Sequence, residues 1–454
     1  MLIETNIEVN LRSIEEFTRV MVSELLEDKI SFEILKENNL IKIKVKSEKL
    51  NKSTEFSYID LGNKIEDQIL TMCKISLLKL LDKKYDWGSL MGVRPTKVLR
   101  RLLINSCDYK EARKILKDFY LVTDEKINLM ETVVKKELEL LDKEHINLYI
   151  GIPFCPTKCK YCSFASYEIN GGVGRFYNDF VEALLKEIQI VGDFLKTYSK
   201  KVSSIYFGGG TPSTLTEEDL EKVLKKLLEN IDMTDVKEFT FEAGREDSLN
   251  IKKLEIMKKY SVDRISLNPQ SFNLETLKRV NRRFNRENFD LIFKEAKKLE
   301  FIINMDLIIG LPEETTEEIL ETLSQLKDYD TDNLTIHCLA FKRASKLFKE
   351  SQERNSIDRA LIEKYIQKIV EEKAMKPYYM YRQKNIIEWG ENIGYSKEGK
   401  ESIFNIEMIE ENQNTMALGG GGISKIVIEE RNGIDYIERY VNPKDPALYI
   451  RELD

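Results

Sequence analysis

Between residues 145 and 340, short apolar runs alternate with amphipathic helical stretches, and this alternation constrains the fold more than any other feature of the chain. The runs occupy 147–153, 202–209, 238–244, 264–270, 303–312 and 333–340. Stretches such as 176–195 and 217–230, with helical spacing of apolar residues, separate them. Strands joined through helices pair in parallel, because a parallel crossover needs a connection of that length. Near-continuous apolar strands fit a sheet buried on both faces. The expected architecture is α/β: a partial (β/α)6 TIM-like barrel at 145–340, an N-terminal α+β accessory domain at 1–144, and a mixed C-terminal substrate-site or cap region at 341–454. In such barrels ligands gather at the C-terminal ends of the strands. The unusual residues stand there: a cysteine cluster, a Gly-Gly-Gly-Thr-Pro turn, Glu242, Gln270 and Asp306.

Composition narrows the function classes. A length of 454 residues suffices for two or three domains. A net charge of −7 is no nucleic-acid footprint. No apolar run approaches a membrane span, and the N-terminus carries no signal-peptide core, so a cytoplasmic chain is expected. The N-terminal part reads as a hairpin around Asn38-Asn39, a strand at 54–62 and a helical pattern at 64–84. Residues 90–103 combine a Gly-x-Arg-Pro turn with a helix whose basic face is solvated.

Three of the six cysteines fall within eight residues: Cys155, Cys159 and Cys162, spaced C-x3-C-x2-C. Clustered cysteines in a reducing compartment bind metal more often than they form disulfides. Thiolates are soft donors suited to iron–sulfur clusters or zinc, and a short loop of this spacing can aim three of them at one cubane. A closed structural site normally has four protein ligands, so three leave one metal position open to a substrate or cofactor. A zinc ribbon completed by His145 or Cys338 is the other reading. Cys73, Cys107 and Cys338 read as lone buried thiols.

The stretch YIGIPFCPTKCKYCSF (149–164) resembles the signature of radical S-adenosylmethionine (SAM) enzymes. With YFGGGTPS, FTFEAGRED, RISLNPQSFN, RVNRR, MDLIIGLPEET and LTIHCLAFKRAS, it is similar to the oxygen-independent coproporphyrinogen III dehydrogenase group. The flanking WGSLMGVRPTKVLRRLL, YRQKN, ENIGY and ALGGGGIS resemble its HemZ-type branch. The resemblance implies a [4Fe-4S] cluster on the three cysteines, with SAM chelating the open iron and cleaved to methionine and a 5′-deoxyadenosyl radical. It implies a reaction of haem biosynthesis: hydrogen abstraction from the β-carbon of a coproporphyrinogen III propionate, with loss of CO2 and one electron, leaves a vinyl group. Two such rounds give protoporphyrinogen IX. An unidentified low-potential donor supplies electrons, and neither nucleic acid nor a membrane span is involved.

The same resemblance assigns SAM contacts to Gly209, Gly210, Thr211, Glu242, Gln270, Arg282 and Asp306, with Arg282 suited to the SAM carboxylate. Tyr149 and His337 are candidate catalytic residues, His337 as a proton donor. Lys342, Arg343, Arg382 and Lys384 are candidates for the four substrate carboxylates. Glycines 419–422 either let backbone approach SAM or the macrocycle or form a tight loop. Two positions depart from the well-studied oxidase branch: Phe164 replaces a further cysteine, and Gly151 replaces a histidine. A sister branch, the haem chaperones, shares the phenylalanine but carries a C-terminal haem motif with histidine. Both histidines here, His145 and His337, precede residue 340. Haem trafficking, a radical SAM reaction on another substrate, and a zinc-stabilised binding module are the alternatives.

Overall fold

A two-residue turn sets the register of the first sheet. Strands β1 (Leu2–Thr5), β2 (Lys29–Glu37), β3 (Leu40–Ser47) and β4 (Lys52–Ile59) lie in the order β1-β2-β3-β4. Asn38 takes φ +53, which lets Glu37 pair directly with Leu40. Ile30, Phe32 and Ile34 then share a buried face with Ile41, Ile43 and Val45, covered by the helix Gln68–Leu80.

This sheet belongs to the smaller of two compact units in the computed structural model: Met1–Leu138 with Met380–Glu391, against Glu139–Tyr379 with Asn392–Asp454. The structure describes residues 1–453 except 65–66, 93, 106, 341–344, 348–356, 383–390 and 430–434, and the side chains of 63, 429 and 435. Glu391 is tied to the rest of the smaller unit by a buried ion pair. Lys126 Nζ lies 3.2 Å from Glu391 Oε1, with side chains 5% and 4% exposed, and the Trp87 indole donates to the same carboxylate. The described residues of 341–454, expected as a C-terminal region, divide between the two units.

The larger unit repeats strand, turn, capped helix. Its strands are β5 (Ile146–Ile152), β6 (Phe154–Cys155), β7 (Tyr167–Glu168), β8 (Val202–Gly209), β9 (Glu238–Gly244), β10 (Arg264–Leu267), β11 (Ile302–Ile309) and β12 (Asn333–Cys338). After them come β13 (Lys376–Tyr381), β14 (Asn392–Ser396), β15 (Asn414–Gly419), β16 (Ile423–Glu429) and β17 (Asp435–Val441). Helices Glu217–Asn230, Ile251–Lys259, Leu274–Arg279, Arg286–Lys298 and Thr316–Gln325 each start at a Thr or Asn side chain that accepts a first-turn N–H. Thr315 and Glu318 form a reciprocal capping box. In Glu217–Asn230 the buried residues Leu220, Val223, Leu224 and Leu227 make one apolar stripe against the sheet.

The main sheet runs β13-β14-β12-β11-β10-β9-β8-β5-β15-β16-β17. The expected strands β5, β8, β9, β10, β11 and β12 pair in parallel. A further parallel strand, β15, returns from the C-terminal part to the outer side of β5. Outward positions such as Phe207, Phe239, Phe241, Ile265, Met305, Leu307 and Ile336 are buried and apolar. The inward positions differ from the continuous apolar pattern expected. Asn147 accepts from Ser204 at 2.5 Å, Thr240 donates to Glu238 at 2.9 Å, and Asn304 donates to Asp306 at 2.9 Å. Both faces are buried, but the inner one is polar and internally hydrogen-bonded, unlike the packed apolar interior of a closed barrel. Among the described residues, no helix is long and apolar enough to cross a membrane.

Candidate functional site

The cysteine loop hangs from the C-terminal end of β5. Parallel pairing of Phe154 with Tyr167 and Cys155 with Glu168 closes it, and Lys160 N–H donates to the Val280 carbonyl at 2.9 Å. Cys155 and Cys159 are buried and Cys162 is half-buried. Each sulfur has polar neighbours, and Cys159 has Arg245, Arg282 and Tyr161 beside it. Thr211 Oγ1 donates to Cys155 Sγ at 3.3 Å, Arg245 Nη1 to Cys159 Sγ at 3.8 Å, and Ser166 Oγ lies 3.7 Å from Cys162 Sγ. Burial pushes the Cys155 thiol up to about 12; the Thr211 hydrogen bond lowers it, and the charges of Cys162 and Cys159 raise it further. Three thiolates this close repel one another, and a shared metal group relieves that repulsion.

A zinc ribbon completed by His145 would need that imidazole beside the cysteine loop. A cubane takes one thiolate at each of separate corners. His145 precedes β5, where it meets Asp142 at 2.7 Å, and seven strand residues, about 20 Å, separate it from the cysteine loop.

Glycines clear the floor beside the loop. Gly151 of β5 pairs with Gly208 of β8 and Gly419 of β15, a row without side chains across three adjacent strands. A Cβ on Gly151 would lie 2.8 Å from the Gly420 carbonyl oxygen, so the backbone of 419–422 fills the space a larger residue would need. Gly209 holds φ +106, open to glycine at little cost. The N–H groups of Gly210 and Thr211 are already committed, to Ile152 O at 2.8 Å and Phe154 O at 2.7 Å. These two residues therefore shape the cradle and orient the Thr211 hydroxyl; their N–H groups are not ligand donors.

Inside the mouth, Tyr149, Tyr206 and Phe404 stack, with Tyr206 and Phe404 centroids 4.3 Å apart. Tyr206 donates to Glu242 Oε1 at 2.5 Å. Burial raises the Glu242 carboxyl to about 7; the Tyr206 bond lowers it and the Asp306 charge raises it. Burial also raises the Tyr149 phenol, with the Glu242 charge adding to the effect. Asp306 behaves oppositely: burial raises it, but His337, Asn304 and Thr335 outweigh burial and hold it below the ordinary value. His337 Nε2 lies 3.9 Å from Asp306 Oδ1.

Two buried side chains keep atoms without a protein partner. Gln270, held at φ +66, leaves Oε1 unbonded, and Arg282 leaves Nε unbonded while Nη2 donates to the Gly244 and Asn268 carbonyls. An acceptor and a cationic donor reserved this way suit a zwitterionic ligand such as SAM, and three thiols with a donor apiece suit the cluster. The fold thus carries Tyr149, Glu242, Asp306 and His337 on strands of one barrel, Cys155, Cys159, Cys162, Gly209, Gly210, Thr211 and Gln270 at or beyond strand ends, and Arg282 in the turn after the helix Leu274–Arg279. Of the candidate substrate residues, Lys342, Arg343 and Lys384 lie outside the described residues. Arg382 stacks 5.2 Å over Trp87 and donates to Leu90 O at 2.5 Å, within the smaller unit. Sequence reasoning missed Arg245, Ser166 and Tyr206. The Arg-x-Asp of 245–247 was a local signal for Arg245; nothing local marked Ser166.

Comparison with known proteins agrees with this geometry. The family model described as "Radical SAM superfamily" matches residues 149–326. The oxygen-independent coproporphyrinogen-III oxidase-like protein HemZ of Bacillus subtilis (strain 168) is 40% identical over 373 residues, 80% of this chain and 74% of that protein. The haem chaperone HemW of Buchnera aphidicola subsp. Schizaphis graminum (strain Sg) is 28% identical over 221 residues, 48% of this chain and 57% of that protein. The solved coproporphyrinogen III oxidase HemN of Escherichia coli superposes with a TM-score of 0.55 at 19% identity, covering 70% of this chain and 72% of that one, a likeness of fold.

Proposed function

The chain belongs to the radical SAM superfamily, in its HemZ-type coproporphyrinogen-III oxidase-like branch, and from that premise we propose that it oxidatively decarboxylates coproporphyrinogen III to protoporphyrinogen IX without oxygen. The radical SAM superfamily uses a [4Fe-4S] cluster and SAM. When bound, that pair supplies a 5′-deoxyadenosyl radical able to take hydrogen from an unactivated carbon. The observation that carries the reading is three thiols, each with its own polar neighbour, beside a glycine floor at the mouth of a polar-lined barrel.

The chain's own residues divide the work. Cys155, Cys159 and Cys162 hold the cluster and leave one iron without a thiolate. Gln270 Oε1 and Arg282 Nε bind the polar end of SAM. Tyr149 and Gly208 form an apolar wall, the ring lying 3.1 Å from where a Gly208 Cβ would stand. His337, Asn304 and Thr335 hold Asp306 below the ordinary carboxylate value, while burial raises Glu242 to about 7. His337, with Nε2 3.9 Å from Asp306 Oδ1, is the histidine on this face and is assigned as the proton donor.

Haem carriage draws its support from the likeness to HemW, which extends over about half of this chain. Anaerobic incubation with reductant, SAM and coproporphyrinogen III, followed by product mass, separates the readings. Loss of two CO2 per macrocycle supports decarboxylation. SAM cleavage with the porphyrinogen unchanged rejects the substrate and keeps the chemistry. Stoichiometric haem binding with no decarboxylation favours the carrier.

A further inference from the structure

The three thiols differ in the company they keep. Cys155 and Cys162 meet neutral hydroxyls, those of Thr211 and Ser166. Cys159 meets a charge, the guanidinium of Arg245, 86 residues later in the chain. Arg245 follows Gly244 at the end of β9, and its side chain is 4% exposed. Its fork is fixed on Asp247: Nε donates to Oδ1 at 2.8 Å and Nη2 to Oδ2 at 2.5 Å. That orientation leaves Nη1 facing the cysteine loop, where it reaches Thr157 Oγ1 at 3.0 Å, Thr157 O at 3.3 Å and Cys159 Sγ at 3.8 Å. Arginine does not lose its proton in proteins, so this is a permanent buried charge. Asp247 offsets it in part, from a more exposed position, 23% against 4%. Arg282 is a second buried cation that also hydrogen-bonds Cys159; unlike Arg245 it has Glu246 beside it as a buried counter-charge, and backbone carbonyls hold its Nη2.

We propose that Arg245, oriented by Asp247, sets the reduction potential of the cluster held by Cys155, Cys159 and Cys162. The inference rests on the cluster reading above and concerns how easily the cluster accepts its electron. Reduction adds a negative charge, and hydrogen bonds to the sulfurs together with nearby positive charge in a poorly solvated site favour the reduced form. A clamp for the loop would need only the two bonds to Thr157. The third contact, to a ligand sulfur, places the charge where it acts on the added electron. Arg245 is thus a positioning and tuning residue that acts through the cluster.

Two substitutions with opposite expected signs test this. R245Q removes the positive charge and lowers the potential; D247N removes its counter-charge and raises it. A tenfold change in the reduction equilibrium, about 59 mV for one electron, is expected in each. The full chain is reconstituted anaerobically with iron and sulfide, its iron content is measured, and the cluster is titrated with dithionite while its electron paramagnetic resonance signal is followed. Opposite shifts support the proposal. Unchanged potentials, or shifts of the same sign, overturn it in favour of a loop clamp. Where R245Q alone fails to hold iron, D247N decides: an upward shift supports the proposal and an unchanged potential overturns it. Failure of the unsubstituted chain to take up iron is a distinct result and removes the cluster reading itself.

Discussion

Replacing Gly210 by alanine isolates the close packing that brings the glycine turn against the cysteine loop. A Cβ there would stand 2.6 Å from Phe154 O and 3.0 Å from Ile152 O, where ordinary contact begins at 3.4 Å. Both neighbours are backbone, so no side chain can rotate away; β8 must shift from the end of β5. Overpacking of this kind costs about 1–3 kcal/mol. The shift also strains two hydrogen bonds, Gly210 N–H to Ile152 O at 2.8 Å and Thr211 N–H to Phe154 O at 2.7 Å. Each has a net worth of about 1 kcal/mol. With partial loss of these, the total is about 2–4 kcal/mol, or roughly 4–16 °C of melting temperature. The control is G172A, where nothing lies within 4 Å of the new methyl group, and it should stay within about 0.5 kcal/mol of the parent. Thermal unfolding followed by circular dichroism reads the stability. Iron uptake reads the site, because the Thr211 hydroxyl that meets Cys155 moves with the turn. If G210A melts with G172A and takes up iron normally, the packing argument is wrong.

Three other outcomes follow from the same structure. Serine at Cys155, Cys159 or Cys162 should each reduce reconstituted iron from about four per chain to near none, while serine at buried Cys73 should not; equal iron in all four variants would refute the ligand assignment. Glu242 binds its proton more tightly in the folded chain, at about 7 against an ordinary 4.5, so stability falls as pH rises between those values. Urea unfolding at about pH 5 and about pH 8 should show that loss diminished in E242Q, and an undiminished loss would assign it elsewhere. E391Q leaves the Lys126 ammonium, 5% exposed, with the exposed Glu125 carboxylate at 3.6 Å as its remaining partner among the described residues, costing about 2–4 kcal/mol. Replacing both partners by Met and Leu should recover most of that loss in denaturant titrations, and an E391Q change below about 1 kcal/mol would contradict the pairing.

What could be read in advance was local. The bounds 202–209 and 238–244 coincide with β8 and β9 because apolar strand chemistry ends there in glycine. The run at 264–270 ends sooner, at Leu267, because Gln270 turns to φ +66 and meets Leu307 only as an isolated bridge. The polar inner face of the barrel was present in the alternation of Thr240 and Phe241, or Asn304 and Met305, but reads as sheet polarity only once the strands have closed around a site. The return of this segment toward the site was marked by the resemblance of ALGGGGIS and by glycines 419–422, but its place as a strand, β15, beside β5 was not. Its register is set by glycines that fit only when Gly151 and Gly419 face each other, one strand contributed from each end of the unit.

The amino-acid order alone determined the crossover pattern of the barrel and the presence of three soft ligands in one loop, since both reside in spacings of a few residues. Tertiary structure alone decided which charges meet those ligands and how far burial raises the Glu242 carboxyl. Arg245 reaches Cys159 across 86 residues, and Glu242 draws its proton affinity from burial and from the Asp306 charge, 64 residues after it, against the opposing Tyr206 hydrogen bond. Such pairings depend on strand register and desolvation, which arise only when distant segments are packed together.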